Sequence, residues 1–537
     1  MVRPRWFAFL VVTGLAGCGG GKSEEGPKMA DGPDNLKFPE REVVANPAKI
    51  SLPAIPELSL PALDPTVHDP RELRVRGKQF LEKDIEVRGY VTWVYDCNAA
   101  LLALRGAPAT AASVQKEIDA DPTLCEMPKF HLGATKDAKQ VLWVVDVPRP
   151  PNKLEREKLP REDLAEWPAV PKFAVGDYVA VSGKFTYTSR RGERNYDGLL
   201  QFRALEKSTP TTIADAPPAA ALATPPAMKA QEKKPIELEA RNASIRNGND
   251  CAQDLERTRI EAALEECHKA IRGWGDNHAA WYLLGLTYFG RKEYTPAQQA
   301  FERAVLLAPE DPMYQMMWGV AQFEAVHAIA RETEARLTRR STDQVVADLS
   351  KVDLDEALQP LLRAAKADPK LWRAHYYAGR ILLAQDRAFD AATHLTSAIQ
   401  ANPAAIAPAV LLVELYRKWD HAEQAVNVAG AVVQNIPSAS DAADLNYELA
   451  VAYDDASRGS KTAKELEDKA IDAYTKVIDA KRDYHKARFG RGQIYARKKD
   501  FTKARADLQA FVSSADSVAY AALKSAAQQQ IREMPYR

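Results

Sequence analysis

The chain has 537 residues, 46% of them hydrophobic, and its 73 Lys and Arg balance its 73 Asp and Glu. At about 150 residues per domain this length predicts three or four folding units. Average apolar and charged fractions exclude wholesale disorder, a collagen-like fibre and a polytopic membrane protein, and the zero net charge excludes a global field that would steer the chain to a polyanion.

Arg3 and Arg5 precede an apolar stretch from Trp6 to Leu15 that is too short to cross about 30 Å of hydrocarbon as a helix, so it reads as a signal and not an anchor. It ends in Leu15-Ala16-Gly17-Cys18, which resembles the lipobox of bacterial lipoproteins. The resemblance implies a signal peptide over 1–17, diacylglycerol on the Cys18 thiol, and membrane attachment through that N-terminal lipid in the cell envelope. Gly19 after the Cys implies sorting to the outer membrane, facing the periplasm. Ala16 to Ser23 also fits a loosened phosphate-loop pattern, but a removable signal precedes it and a Pro-rich stretch follows, so it lacks the strand-to-helix setting such a loop needs.

Residues 18–70 are punctuated by Pro27, Pro33, Pro39, Pro47, Pro53, Pro56, Pro61, Pro65 and Pro70 with no periodicity between them, and read as an extended tether. A second break, a Pro/Ala-rich linker over 208–236, separates two domains. In the first, 71–207, Ile85, Val87, Val91 and Trp93 alternate, as do Val179, Val181 and Phe185, while Val141 to Val147 is continuously apolar. With Lys129–Leu132 and Gly198–Leu205, five strands are expected. The repeated V-x-G-x-V/F at Val87–Val91 and Val181–Phe185 is similar to OB-fold barrels, in which such glycines bend strands towards closure.

From 237 to 537 the pattern becomes Ala-rich and helical. Trp281, Leu284, Gly285, Tyr288, Tyr294, Ala297, Phe301, Ala304 and Pro309 open a motif whose alanine recurs at Ala263, Ala297, Ala357, Ala391, Ala425, Ala470 and Ala504, with four of the six steps equal to 34. Prolines follow at Pro309, Pro369, Pro403 and Pro437. This spacing resembles tetratricopeptide (TPR) repeats. The fold class it implies is a multi-domain chain with an all-α TPR superhelical solenoid of six or seven helical hairpins behind a small β-rich, OB-like domain. Departures from the repeat are an incomplete first unit, a long insertion after Phe323 and a shorter one near Gly459; Ser517 to Glu533 reads as a polar capping helix.

Beyond Cys18 the cysteines fall in two pairs, Cys97 with Cys125 and Cys251 with Cys267, and in an oxidising compartment each pair is a candidate disulfide. A bridge closing 15 to 30 residues stabilises by about 3 kcal/mol. There is no CxxC, no HExxH and no nucleophile elbow, so no catalytic residue, metal or cofactor is expected. Trp93, Tyr95, Trp143, Tyr187 and Tyr196, with Arg190, Arg191 and Arg194, are the elements of a stacking face for single strands, but alternating aromatics are usually core, and nucleic acid is not an expected partner.

In TPR proteins the groove is lined from first-helix positions 2, 5, 9, 12 and 13. On that register the early half is apolar, with Tyr282, Leu286, Phe289, Met316, Val320 and Phe323. The later half is basic, with Arg373, Arg380, Arg417, Lys418, Lys486 and Arg497, and with Tyr376 and Phe489 among them. Such a surface suits an envelope protein or peptide ligand carrying apolar anchors beside acidic residues. The expected function is a non-enzymatic scaffold in the envelope, with pilus or secretion assembly as specialisations. The competing reading is an envelope enzyme whose active site lies in the β-rich domain while the repeats recruit substrate.

Overall fold

The computed structural model describes residues 49–56, 67–105, 109–138, 141–190, 194–210, 222–339, 352–515 and 520–535, with scattered positions between 341 and 349. Cys18 and the signal segment lie outside the described residues, as does Arg191.

The sheet region starts earlier than the alternating pattern suggests. Strand β1 (Val67–His68) and helix α1 (Pro70–Arg76) precede it, with Asp69 accepting from the Arg71 N–H as N-cap and Pro70 in the first helical turn. A proline there loses no hydrogen bond, because the first N–H groups of a helix have no partner within it. Next come β2 (Asp84–Val94), α2 (Cys97–Arg105), α3 (Ala111–Ala120), β3 (Phe130–Gly133) and β4 (Leu142–Val145). They are followed by α4 (Lys153–Lys158), α5 (Arg161–Ala165), β5 (Tyr178–Thr188) and β6 (Arg194–Lys207).

The sheet order is β1-β2-β3-β4-β6-β5, and β2 also pairs with β5. The five longer strands therefore form a closed circuit, antiparallel except where β4 runs parallel to β6. Val87, Val91, Val179, Val181, Phe130, Leu132 and Val144 are 0% exposed inside it. Gly183 faces β6 so closely that a Cβ would lie 2.2 Å from the Gln201 carbonyl oxygen, so only glycine allows the pairing at that point. Cys97 and Cys125 are joined as a disulfide with Cα atoms 5.4 Å apart, tying α2 to the segment entering β3.

The linker is not bare chain. Leu222 and Met228 pack on the helical core, the Gln231 N–H donates to the Leu306 carbonyl at 2.7 Å, and the Lys234 N–H donates to Asp276 at 2.7 Å.

Among the described residues the helical region stacks seven hairpins. They are α6 (Leu238–Glu256) with α7 (Ile260–Gly273), α8 (His278–Gly290) with α9 (Tyr294–Leu307), α10 (Pro312–Thr338) with α11 (Asp355–Ala367), and α12 (Trp372–Ala384) with α13 (Ala388–Ala401). The last three are α14 (Ile406–Lys418) with α15 (Ala422–Val433), α16 (Ala443–Ser457) with α17 (Ala463–Ala480), and α18 (His485–Arg497) with α19 (Phe501–Ser514). Helix α20 (Ala521–Glu533) caps the stack. The seven recurrent alanines are at most 3% exposed, because each sits where two helices close on one another. Gly285 and Gly379 do the same work from the partner helix: a Cβ there would stand 2.5 Å from the Phe301 ring and 2.9 Å from Leu395. Pro309, Pro369 and Pro403 each fall two residues past a helix end, where no N–H is needed.

In the hairpin turns Lys292, Asp386, Asp420 and Lys499 all take left-handed backbone, with φ of 64°, 57°, 64° and 61°. The insertion after Phe323 continues α10 to 27 residues. Leu349, Val352 and Leu354 then return to the core of α8 to α12. Cys251 and Cys267 join α6 to α7 as a second disulfide, with Cα atoms 5.3 Å apart.

Candidate functional site

The apolar residues of the first-helix register lie mostly inside the structure. Tyr282, Met316 and Phe323 are 5%, 4% and 1% exposed, whereas Leu286 and Phe289 are half-buried. Tyr282 stacks on Tyr314 with ring centroids 4.7 Å apart, and Phe323 meets Tyr377 edge-on at 5.9 Å. Large apolar side chains at these positions are absorbed by the next hairpin, since burying each one stabilises by about 1.5–3 kcal/mol.

The basic residues are mostly paired. Arg380 places its guanidinium 4.5 Å from the centroid of the Phe323 ring, 5.1 Å from that of Tyr377 and 5.6 Å from that of Tyr376, and donates to Glu324 at 3.1 Å. Burial opposes its charge, yet Tyr376, Glu324 and Tyr377 together hold its pKa above the ordinary arginine value. Arg380 and half-buried Tyr376 thus join the early and later halves of the face.

Arg417 donates through Nε to Asp455 and through Nη1 to Glu448, both at 2.8 Å. Burial again opposes the charge, and Asp455 and Glu448 outweigh it, so the pKa of Arg417 is raised. Glu448 responds the other way. Burial pushes its carboxyl up to about 7, with Glu414 adding to the rise and Arg417 and Lys486 acting against it. Arg497 pairs with Asp454 and donates to Glu467 at 3.1 Å.

Arg373, Lys418 and Lys486 are exposed. The Arg373 guanidinium lies 5.4 Å from the Trp372 ring centroid. Phe489 is half-buried, its ring 5.2 Å from that of Phe511. Arg497 is exposed as well, with 41% of its side chain open to solvent despite its ion pairs, so four of the six cations expected on this face reach solvent, and neighbouring helices supply carboxylates for Arg380, Arg417 and Arg497.

Residues 278–311 match a family model described as tetratricopeptide repeat, and residues 343–406 and 467–519 match a second model of the same description. The helical region is a TPR solenoid.

No curated relative matches the chain. Among solved structures, this chain is similar to PilF of Pseudomonas aeruginosa at 15% identity, over 45% of this chain and 97% of that one, with a TM-score of 0.32. It is similar to a TPR protein from Parabacteroides merdae at 12% identity, over 54% and 98%, with a TM-score of 0.33. It is also similar to YrrB, described as a TPR protein with an unusual peptide-binding site, at 16% identity, over 43% and 99%, with a TM-score of 0.30.

In the sequence the adjacent pair Asp454-Asp455 reads as part of a solvated helix face, but its side chains are only 13% and 11% exposed and pair with Arg497 and Arg417. Glu324, Glu448 and Glu467, which the sequence does not single out, complete the five acids of the TPR face. Four of them sit on first helices next to the arginine they neutralise, so comparing charges between successive repeats at matching positions would have found them. In the sheet domain His131, also unsingled, lies between Trp93 and Trp143, at centroid distances of 4.6 and 5.8 Å. Burial, with Lys129 adding, lowers its pKa to about 4, so the neutral ring is part of the stack. A cleft of about 320 Å³ between Tyr95, Leu101, Arg105 and Glu126 on one side and Gln529 and Arg532 of α20 on the other marks where the sheet domain meets the cap. Among the described residues no group of three or more His, Cys, Asp or Glu is placed to hold a metal ion, and no helix is long and apolar enough to cross a membrane.

Proposed function

We propose that this chain is a lipid-anchored envelope lipoprotein whose TPR solenoid acts as a scaffold for protein partners, in pilus, secretion or envelope assembly. The observation that carries the reading is the stack of seven hairpins with its TPR matches, a module type that serves protein–protein interaction, joined to a chain whose start ends in Leu-Ala-Gly-Cys. The OB-like reading of the sheet domain is supported by its closed strand circuit. The ligand class is an envelope protein or peptide with acidic residues, supported by the exposure of Arg373, Lys418 and Lys486 on the first helices of three hairpins.

Two measurements on the full chain test this. Metabolic labelling with an alkyne fatty acid is expected to mark the wild type and not Cys18→Ser; equal labelling of both removes the anchor. Cross-linking in intact envelopes is expected to trap discrete partners whose yield falls at least fivefold in Lys418→Glu/Lys486→Glu. Unchanged yields remove the basic patch from the binding surface.

A further inference from the structure

The segment Lys49-Ile50-Ser51-Leu52-Pro53-Ala54-Ile55-Pro56 is neither helix nor strand, yet it is docked. Pro56 is buried and Ile50, Leu52, Pro53 and Ile55 are half-buried, while Lys49, Ser51 and Ala54 are exposed. The three aliphatic side chains pack against the core cluster of α13 to α16 that contains Leu395, Leu412, Tyr416, Trp419, Val428 and Leu445. The sheet domain abuts the same cluster, with Val75 of α1 packed on it and Gln79 donating to Asp386 at 3.0 Å. An eight-residue stretch has therefore sorted its side chains by face: every large aliphatic one meets the solenoid, and the small and charged ones meet water.

That sorting is the signature of a bound extended peptide. Two prolines hold φ near its extended value and remove N–H groups that would otherwise seek partners, which lowers the ordering cost of docking. Half-burial of three aliphatic chains is the driving force, and it is opposed by the loss of freedom of eight residues. Such a segment stays down chiefly because it is covalently attached, at an effective concentration in the millimolar range. A site filled in this way also fits the same chemistry presented by another protein.

We propose that the surface of α13 to α16 under residues 49–56 is a binding site for extended, proline-punctuated aliphatic segments of partner proteins, and that residues 49–56 are its resident, displaceable occupant. The motif to be read has large aliphatic residues at its first, third and sixth positions and proline at its fourth and seventh, as Ile50, Leu52, Ile55, Pro53 and Pro56 are spaced here. This deepens the scaffold reading and rests on it, but its test uses a defined peptide, so it can fail while cross-linked partners remain.

The probe is a fluorescent synthetic peptide of residues 49–56, titrated by anisotropy into the full chain and into its Ile50→Ser/Leu52→Ser/Ile55→Ser variant. The variant is expected to bind at least tenfold more tightly than the wild type, and a peptide carrying the same three serines is expected not to bind. Equal binding to both chains, or binding to neither while far-ultraviolet circular dichroism shows unchanged helicity, overturns the proposal. Should the variant lose helicity, hydrogen exchange on the wild type decides: excess peptide is expected to accelerate exchange in residues 49–56, and no acceleration at saturation overturns it. A concentration-dependent dimer of the wild type, lost in the variant, would assign the site to a second copy of the chain and overturn the partner assignment.

Discussion

The early and later halves of the TPR face occupy the same register but are held by opposite means. Around α8 to α12 the register carries Tyr282, Met316 and Phe323, and neighbouring hairpins close over them. Around α14 to α18 it carries Arg417 and Arg497, and the neighbouring helices supply Asp455, Glu448, Asp454 and Glu467. Arg380 stands at the boundary and does both, with rings around its guanidinium and Glu324 at its edge. The lesson is that a position pointing to the inner face of a repeat array is not thereby open to a ligand, because adjacent repeats compete for it first. An apolar side chain is taken by packing and a cation by an ion pair, and Arg497 shows that a paired cation can still keep 41% of its side chain in solvent.

The largest expected effect breaks the apolar half. Phe323→Ala removes a ring that is 1% exposed and takes away a face of the Arg380 cage, so a loss of about 3–5 kcal/mol is expected in the urea unfolding of the solenoid. Next, Arg417→Ala leaves buried Glu448 without its cation and Asp455 with only Arg458 at 3.9 Å, and is expected to cost about 3 kcal/mol by the same measurement. Restoring part of that loss by adding Glu448→Gln to Arg417→Ala would show that charge, and not packing, holds the later half together. The smallest effect is one of pH. The folded pKa of Glu448, about 7, lies above the unfolded value near 4.5, so between these limits the folded chain holds more protons than the unfolded one. Its contribution to stability is fully present below about pH 4.5 and is lost as pH rises through 7. Glu448→Gln is expected to flatten that descending part of the stability curve, read as unfolding midpoints at pH 5 and pH 7.5.

Much of the helical fold was legible because its signal is local: an alanine recurring at steps of 34, interrupted only at the two insertions, marks a helix contact each time, and prolines mark where helices stop. The strands around Val87 and Val181 were equally readable from alternation. Helices α1 to α5 were not, because they are short and lean on the sheet, the disulfide and caps such as Asp69 more than on any periodic apolar stripe. The paired state of Arg417 and Arg497 was illegible one repeat at a time, since their partners belong to other helices. Residues 49–56 escaped for a different reason. An extended segment bound by side chains leaves no helical or strand period, and its prolines give it the look of a spacer.

The two ends of the helical array are fastened in different ways, the first hairpin by the Cys251–Cys267 bridge and the last by α20, which packs Ala527 and Met534 into the cluster around Leu508 and Phe511. Linear repeat arrays ordinarily melt from their tips inward, because releasing a terminal unit breaks one interface while releasing an inner unit breaks two. The bridge ties α6 to α7 within the first hairpin and so resists the unravelling of that hairpin, while α20 covers the last one, so both tips unfold less readily than bare terminal repeats. The array is thereby made to hold or to yield more nearly as one piece, and reduction of a single covalent link at the front would turn a sharp melting transition into a gradual unravelling.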